Sequence, residues 1–204
     1  MNRLLLLLCF TCSFQIVYSQ TSVELNGGTK RLGIDLLSYH YLDTANRWSV
    51  YNHDRAVAYY DSKLTSFLTV NSIIYSFKLG WGITANLVGD NTHFYTSVGL
   101  QYEKIIKSLY LYFLSTYETK NNFYIENYVF IVYKAKLTEK IKWISQNEFY
   151  VSFIKLRNDI SLQRIKLGIE IGQTQLGLIS ETYQLGSHYE TALVNLGLYV
   201  KRAF

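Results

Sequence analysis

Leu162-Gln163-Arg164-Ile165-Lys166-Leu167-Gly168-Ile169-Glu170-Ile171 changes character at almost every step. Gln163, Ile165, Leu167, Ile169 and Ile171 share one parity, and Leu162, Arg164, Lys166, Gly168 and Glu170 the other. Successive side chains of a strand point to opposite faces, so this stretch predicts a strand with an apolar face and a charged one. A helix would set apolar residues three and four apart, which fits poorly. The alternation recurs on either side. From Lys78 to Val88, Leu79, Trp81, Ile83, Ala85 and Leu87 oppose Lys78, Gly80, Gly82, Thr84 and Asn86. From His93 to Glu103, Phe94, Val98, Leu100 and Tyr102 oppose Tyr95, Ser97, Gly99, Gln101 and Glu103. From Thr138 to Phe153, Ile141, Trp143, Phe149, Val151 and Phe153 oppose Lys140, Lys142, Gln146 and Glu148.

Turn-forming residues separate these windows: Asn26-Gly27-Gly28, Asp43 to Asn46, Asp61-Ser62, Gly89-Asp90-Asn91, Lys120-Asn121-Asn122, Arg157-Asn158-Asp159, Gly172-Gln173 and Gly186-Ser187. Their spacing suits tilted spanning strands of roughly 9 to 11 residues. The chain has 204 residues and 0 Pro. Proline cannot donate to a strand ladder, and in a closed barrel every strand is central.

Composition points the same way. Hydrophobic residues make up 49%, charged residues 17%, and there are 19 Tyr, 11 Phe and 3 Trp. Mean hydropathy is +0.03. A chain so rich in aromatics is not disordered, and its length suits one domain. Outside the N-terminus no apolar run is long enough for a spanning helix. A membrane placement therefore requires a closed barrel, because only helices and closed barrels satisfy every backbone group in lipid. A soluble sandwich or lipocalin-like barrel would also alternate. Aromatics near the predicted strand ends, among them Tyr59, Tyr60, Tyr75, Phe77, Phe94 and Phe149, favour the membrane reading, since such residues gather at its interfaces.

Residues 1–19 read as a cleaved secretory signal peptide: Arg3 supplies the positive start, Leu4 to Val17 the apolar core, and Val17-Tyr18-Ser19 the cleavage site. Both cysteines, Cys9 and Cys12, lie in this segment, so residues 20–204 are expected to form one domain without disulfides. A formal net charge of +5 is mild and gives no reason to expect nucleic acid. No cofactor or metal motif is present in the sequence.

The chain ends Asn195-Leu196-Gly197-Leu198-Tyr199-Val200-Lys201-Arg202-Ala203-Phe204. This tail resembles the closing strand of Gram-negative outer-membrane β-barrels of small porin-like or OmpX-like architecture. The match rests on Phe204 with Val200, Leu198, Leu196 and Val194 at alternate positions; Arg202 departs from it. The resemblance implies an outer-membrane protein whose Val200 and Phe204 form the insertion signal read by the barrel-assembly machinery, with lipid and lipopolysaccharide around it. It names no functional family.

Strands are expected near 190–203, 174–184, 160–171, 138–154, 123–134, 108–118, 93–104, 78–88, 64–75, 47–60 and 31–42, with a short one at 22–26. The expectation is an all-β, antiparallel up-and-down transmembrane barrel of twelve strands with loops of at most about six residues; ten is the alternative count. Polar faces then point inward. Lys140, Lys142, Arg164 and Lys166 on adjacent strands would form a basic stripe lining an anion path, which Glu126, Glu148 and Glu170 could neutralise. The expected function is a small passive pore for small polar or anionic solutes. A non-conducting barrel or a subunit of a larger outer-membrane assembly is the alternative. In that case Asn127, Ser145 and Asn147, on the nominal lipid face, are a candidate contact patch. A lipid-acting hydrolase is a third reading. His53 and Asp54 are adjacent on one strand and face opposite ways, and the Ser187-His188 loop carries no legible triad, so an enzyme is not expected.

Overall fold

The computed structural model describes residues 19–61, 65–91, 94–119, 124–155 and 157–204. The expected signal peptide lies almost wholly outside these residues. Twelve strands follow in chain order: β1 (Ser19–Gly28), β2 (Arg31–Tyr41), β3 (Trp48–Tyr59), β4 (Thr65–Ser76), β5 (Trp81–Asp90), β6 (Phe94–Ile106), β7 (Leu109–Glu118), β8 (Tyr124–Lys136), β9 (Ile141–Ile154), β10 (Arg157–Ile171), β11 (Thr174–Leu185) and β12 (Glu190–Ala203). Each pairs antiparallel with the next, and β1 closes on β12, with Ser22 opposite Ala203 and Gly28 opposite Gly197. An antiparallel closure demands an even count, and the count is the expected twelve, not the alternative ten. It also brings both termini to one end of the barrel, where the Phe204 N–H donates to the Thr21 carbonyl at 2.8 Å.

The period-two pattern becomes inside and outside. Along β5, Gly82, Thr84, Asn86 and Val88 are buried, while Trp81, Ile83, Ala85 and Leu87 are exposed. Along β10, Leu162, Arg164, Lys166, Gly168 and Glu170 are buried and point inward. This inverts a soluble barrel: charges are inside and the apolar side chains form the outer wall. Towards the terminal end that wall carries Trp48 against Tyr75 (ring centroids 4.8 Å apart), Tyr75 against Phe77 (5.3 Å) and Trp81 against Tyr102 (5.0 Å). Tyr60, Phe94 and Tyr117 are exposed towards the opposite end. An apolar band between two aromatic girdles is what a membrane-spanning barrel presents.

Connections are short, the longest being residues 42–47. Two differ from the sequence expectation. Lys78 and Gly80 are not inward-facing strand residues, because Leu79 (φ 67°) and Gly80 (φ 87°) turn the chain and β5 starts only at Trp81. Gly80 is needed there, since a Cβ would collide with the Glu103 carbonyl. Likewise Lys140 lies in the exposed turn before β9, which begins at Ile141, so it does not line the lumen.

Candidate functional site

At mid-height the lumen is crossed by a lattice of charges. It starts from cross-strand neighbours. Arg164 on β10 stands opposite Glu148 on β9 and Glu181 on β11; Asp35 on β2 stands opposite Arg55 on β3. Opposite charges facing each other across strands pair favourably. Arg164 Nε donates to Glu181 Oε1 at 2.7 Å and its Nη1 to Glu148 Oε2 at 3.2 Å. Arg55 Nε donates to Asp35 Oδ1 at 2.5 Å, and His53 Nε2 lies 2.8 Å from the same oxygen.

Longer side chains then tie distant strands together. Arg31 on β2 reaches Glu181 on β11: its Nε donates to Oε2 at 3.0 Å, and its Nη2 lies 2.6 Å from Oε1, outside hydrogen-bonding alignment. Lys166 on β10 donates to Glu24 on β1 at 2.5 Å. That contact matters because Glu24 stands directly opposite Asp35, a like-charge pair that needs nearby cations. Arg55 Nη2 approaches Glu148 Oε1 at 3.7 Å. β3 and β9 lie six places apart around a twelve-strand wall, so this contact spans the full diameter.

Asp35, Glu148 and Glu181 are each met more than once, and Glu24 is met by Lys166. Glu181 also accepts from Asn195 Nδ2 at 2.8 Å, and Asp35 from Asn26 Nδ2 at 3.2 Å. Arg31, Arg164 and Glu181 are 1%, 2% and 0% exposed, while Arg55 retains 11% on the lumen side. Four cations, Arg31, Arg55, Arg164 and Lys166, match four carboxylates, Glu24, Asp35, Glu148 and Glu181. Charges survive such burial only when paired and hydrogen-bonded.

Two smaller clusters flank the lattice. Towards the end carrying the termini, Glu170 accepts from Lys134 at 2.7 Å, Lys142 at 2.9 Å and Gln175 at 3.0 Å. A recess of about 300 Å³ opens at this end, lined by Tyr39, Tyr41, Ser76, Gly80 and Glu103 among others. Towards the other end, Glu126 accepts from Tyr150 at 2.6 Å, Tyr95 at 3.1 Å and Thr116 at 3.1 Å. Each site residue expected on the inner wall, Lys140 apart, is placed there. They do not form a free basic stripe: Lys142, Arg164 and Lys166 each contact a carboxylate. Arg31, Arg55, Asp35, Glu24 and Glu181 also count among the inward-facing charges of the sequence, for which a salt-bridged interior is the ordinary expectation, but the sequence does not name their individual partners. Their partners come from strands far apart in sequence. Val200 and Phe204 face outward on β12 and at its end, both exposed.

No protein-family model matches the sequence, and no curated protein matches it. Solved structures do. A KdgM porin superposes with TM-score 0.56 and 10% identity, over 91% of this chain and 99% of that one. The KdgM porin solved with disordered oligogalacturonate gives 0.56 and 11%, over 91% and 99%. A NanC porin gives 0.54 and 8%, over 91% and 98%. The chain thus shares, almost end to end, the barrel fold of these porins.

Proposed function

We propose that the protein is an outer-membrane barrel serving as a narrow passive pore for small polar solutes and ions, with the charge lattice as its constriction. The observation that carries this is the Arg55–Glu148 contact. It is the single ion pair reaching straight across the lumen among the described residues, and at 3.7 Å it is looser than the pairs that hold the two side chains to their own sides. Asp35 retains Arg55 and Arg164 retains Glu148, so parting this contact opens the centre without dismantling the lattice. Inner-wall cations and carboxylates nearly balance, which favours weak selectivity over a preference for anions. In this reading His53 and Asp35 belong to the lattice and not to a catalytic dyad, because Arg55 and Asn26 occupy the same carboxylate. Insertion proceeds through the barrel-assembly machinery, with Phe204 and Val200 as its signal.

The same contact favours a second reading, a barrel that never conducts. Single-channel recording of the refolded barrel in a planar bilayer separates the two. Small steps with a reversal potential near zero in a salt gradient support the pore. A folded, heat-modifiable barrel that gives no steps at any voltage overturns it.

A further inference from the structure

The outer wall of β3 and β4 carries a polar network where lipid should be. Asp54 and Asn52 have the outward parity of β3, and Thr69 and Asn71 that of β4; Asp54 faces Thr69, and Asn52 faces Asn71. Thr69 Oγ1 donates to Asp54 Oδ1 at 2.6 Å. Asn52 Nδ2 donates to Asn71 Oδ1 at 3.0 Å and lies 3.4 Å from Asp54 Oδ1, and Asn71 Nδ2 donates to Thr69 Oγ1 at 3.2 Å. Asp54 lies midway along β3 between Trp48 and Tyr60, which stand at the two ends of the outer wall. At about 3.3 Å per residue and a tilt near 45°, it is roughly 14 Å from either edge, at the centre of the apolar band. A polar or ionisable side chain there is costly unless something in the membrane meets it.

We propose that this patch is a two-fold interface at which the barrel pairs with a second copy of itself. The internal bonds leave one Asn71 Nδ2 hydrogen as a donor, and Asp54 Oδ2 and Asn52 Oδ1 as acceptors. The set is self-complementary: under two-fold symmetry, Asn71 of each copy donates to Asp54 or Asn52 of the other, twice over. Acyl chains at the bilayer centre offer no donor and no acceptor, so lipid cannot take this place. The surroundings permit close approach. Ala56 and Ala58 on β3 and Ala85 on β5 are exposed on the same face, and small residues let membrane elements pack backbone to backbone. Asn127, Ser145 and Asn147 also have outward parity, on β8 and β9, but no bond joins them into a comparable network. The proposal is independent of whether the lumen conducts.

The test is the oligomeric state of the full barrel in lipid bilayers, read by single-molecule photobleaching over a range of protein-to-lipid ratios. Two-step bleaching is expected for the wild type and one-step bleaching for Asp54→Leu with Asn71→Leu. The leucine variant places apolar groups against lipid, so it keeps the heat-modifiable gel shift of a folded barrel. A wild type that stays monomeric at every ratio overturns the proposal, as does a leucine variant that pairs as well as the wild type. In cells, a photocrosslinker at Asn71 should trap a second copy of this chain. Adducts only to lipid or to a different protein overturn it.

Discussion

Arg55 and Glu148 project from opposite walls of the barrel, six strands apart in either direction, yet their side chains meet at 3.7 Å in the middle of the lumen. Each is also held on its own side, Arg55 by Asp35 and Glu148 by Arg164. A charge placed at the narrowest point of a pore controls which ion enters. Glu148→Gln removes the negative side of the proposed constriction and leaves Arg55 and Arg164 facing it, so the reversal potential in a salt gradient should move towards anions. Arg55→Gln should move it towards cations by a similar amount. Both variants should conduct more than the wild type, because the contact across the diameter is lost. Identical currents and reversal potentials in all three proteins would show that ions do not pass this point.

Glu181 and Glu170 each gather two cations, but in different surroundings. Glu181 is 0% exposed and neutralises Arg31 and Arg164, themselves almost fully buried. Glu181→Leu strands two guanidinium groups in the lattice and should cost about 3–5 kcal/mol, the range for removing one partner of a buried pair. Glu170 is met by Lys134 and Lys142, whose side chains are 41% and 52% exposed. Solvent screens those contacts, so Glu170→Gln should cost no more than about 1 kcal/mol. Urea titration in lipid vesicles, read by the gel shift of the folded barrel, measures both. Equal losses would mean that burial does not govern the strength of these pairs.

The wall was legible in the sequence because a strand face is a local property. Parity alone sorted Arg164, Lys166 and Glu170 inward and Ile165, Leu167 and Ile169 outward, and the alternation together with the turn residues and the even count placed twelve strands within a few residues of their bounds. The errors fell where local backbone overrode the pattern. Leu79 and Gly80 continue the alternation on paper but take positive φ and make a turn. The lattice was not legible, because it depends on register around the closed barrel. Arg31 meets Glu181 and Lys166 meets Glu24 only once β1 has paired with β12. Of the carboxylates expected to neutralise the basic stripe, Glu148 and Glu170 do so, from adjacent strands; the contact of Lys166 with Glu24 crosses to β1 and could not be read from neighbouring strands.

Gly168 and Gly177 face each other on the inner wall of β10 and β11. A Cβ on Gly168 would stand 2.7 Å from the Tyr199 hydroxyl and closer still to the Leu176 carbonyl. The backbone oxygen cannot rotate away, so Gly168→Ala should cost about 1–3 kcal/mol, as overpacking does. An unchanged urea midpoint for Gly168→Ala would show that the wall yields there.

Tyr199 and Tyr150 are both inward-facing tyrosines, and they should respond differently to loss of the hydroxyl. Tyr199 is 2% exposed and its hydroxyl has no hydrogen-bond partner among the described residues. Tyr150 donates to the Glu126 carboxylate at 2.6 Å. A buried hydroxyl without a partner costs desolvation and returns nothing, whereas one bonded to a charged group contributes about 1.5–3 kcal/mol. Tyr199→Phe should therefore leave the urea midpoint unchanged or raise it, and the ring keeps its place beneath Lys166, whose Nζ lies 5.5 Å from the ring centroid. Tyr150→Phe should lower the unfolding free energy by an amount in that range and the midpoint with it, because Glu126 is left with Tyr95 and Thr116 alone among these donors. A Tyr199→Phe barrel that is less stable than Tyr150→Phe would mean that a water or an ion bonds the Tyr199 hydroxyl in the lumen.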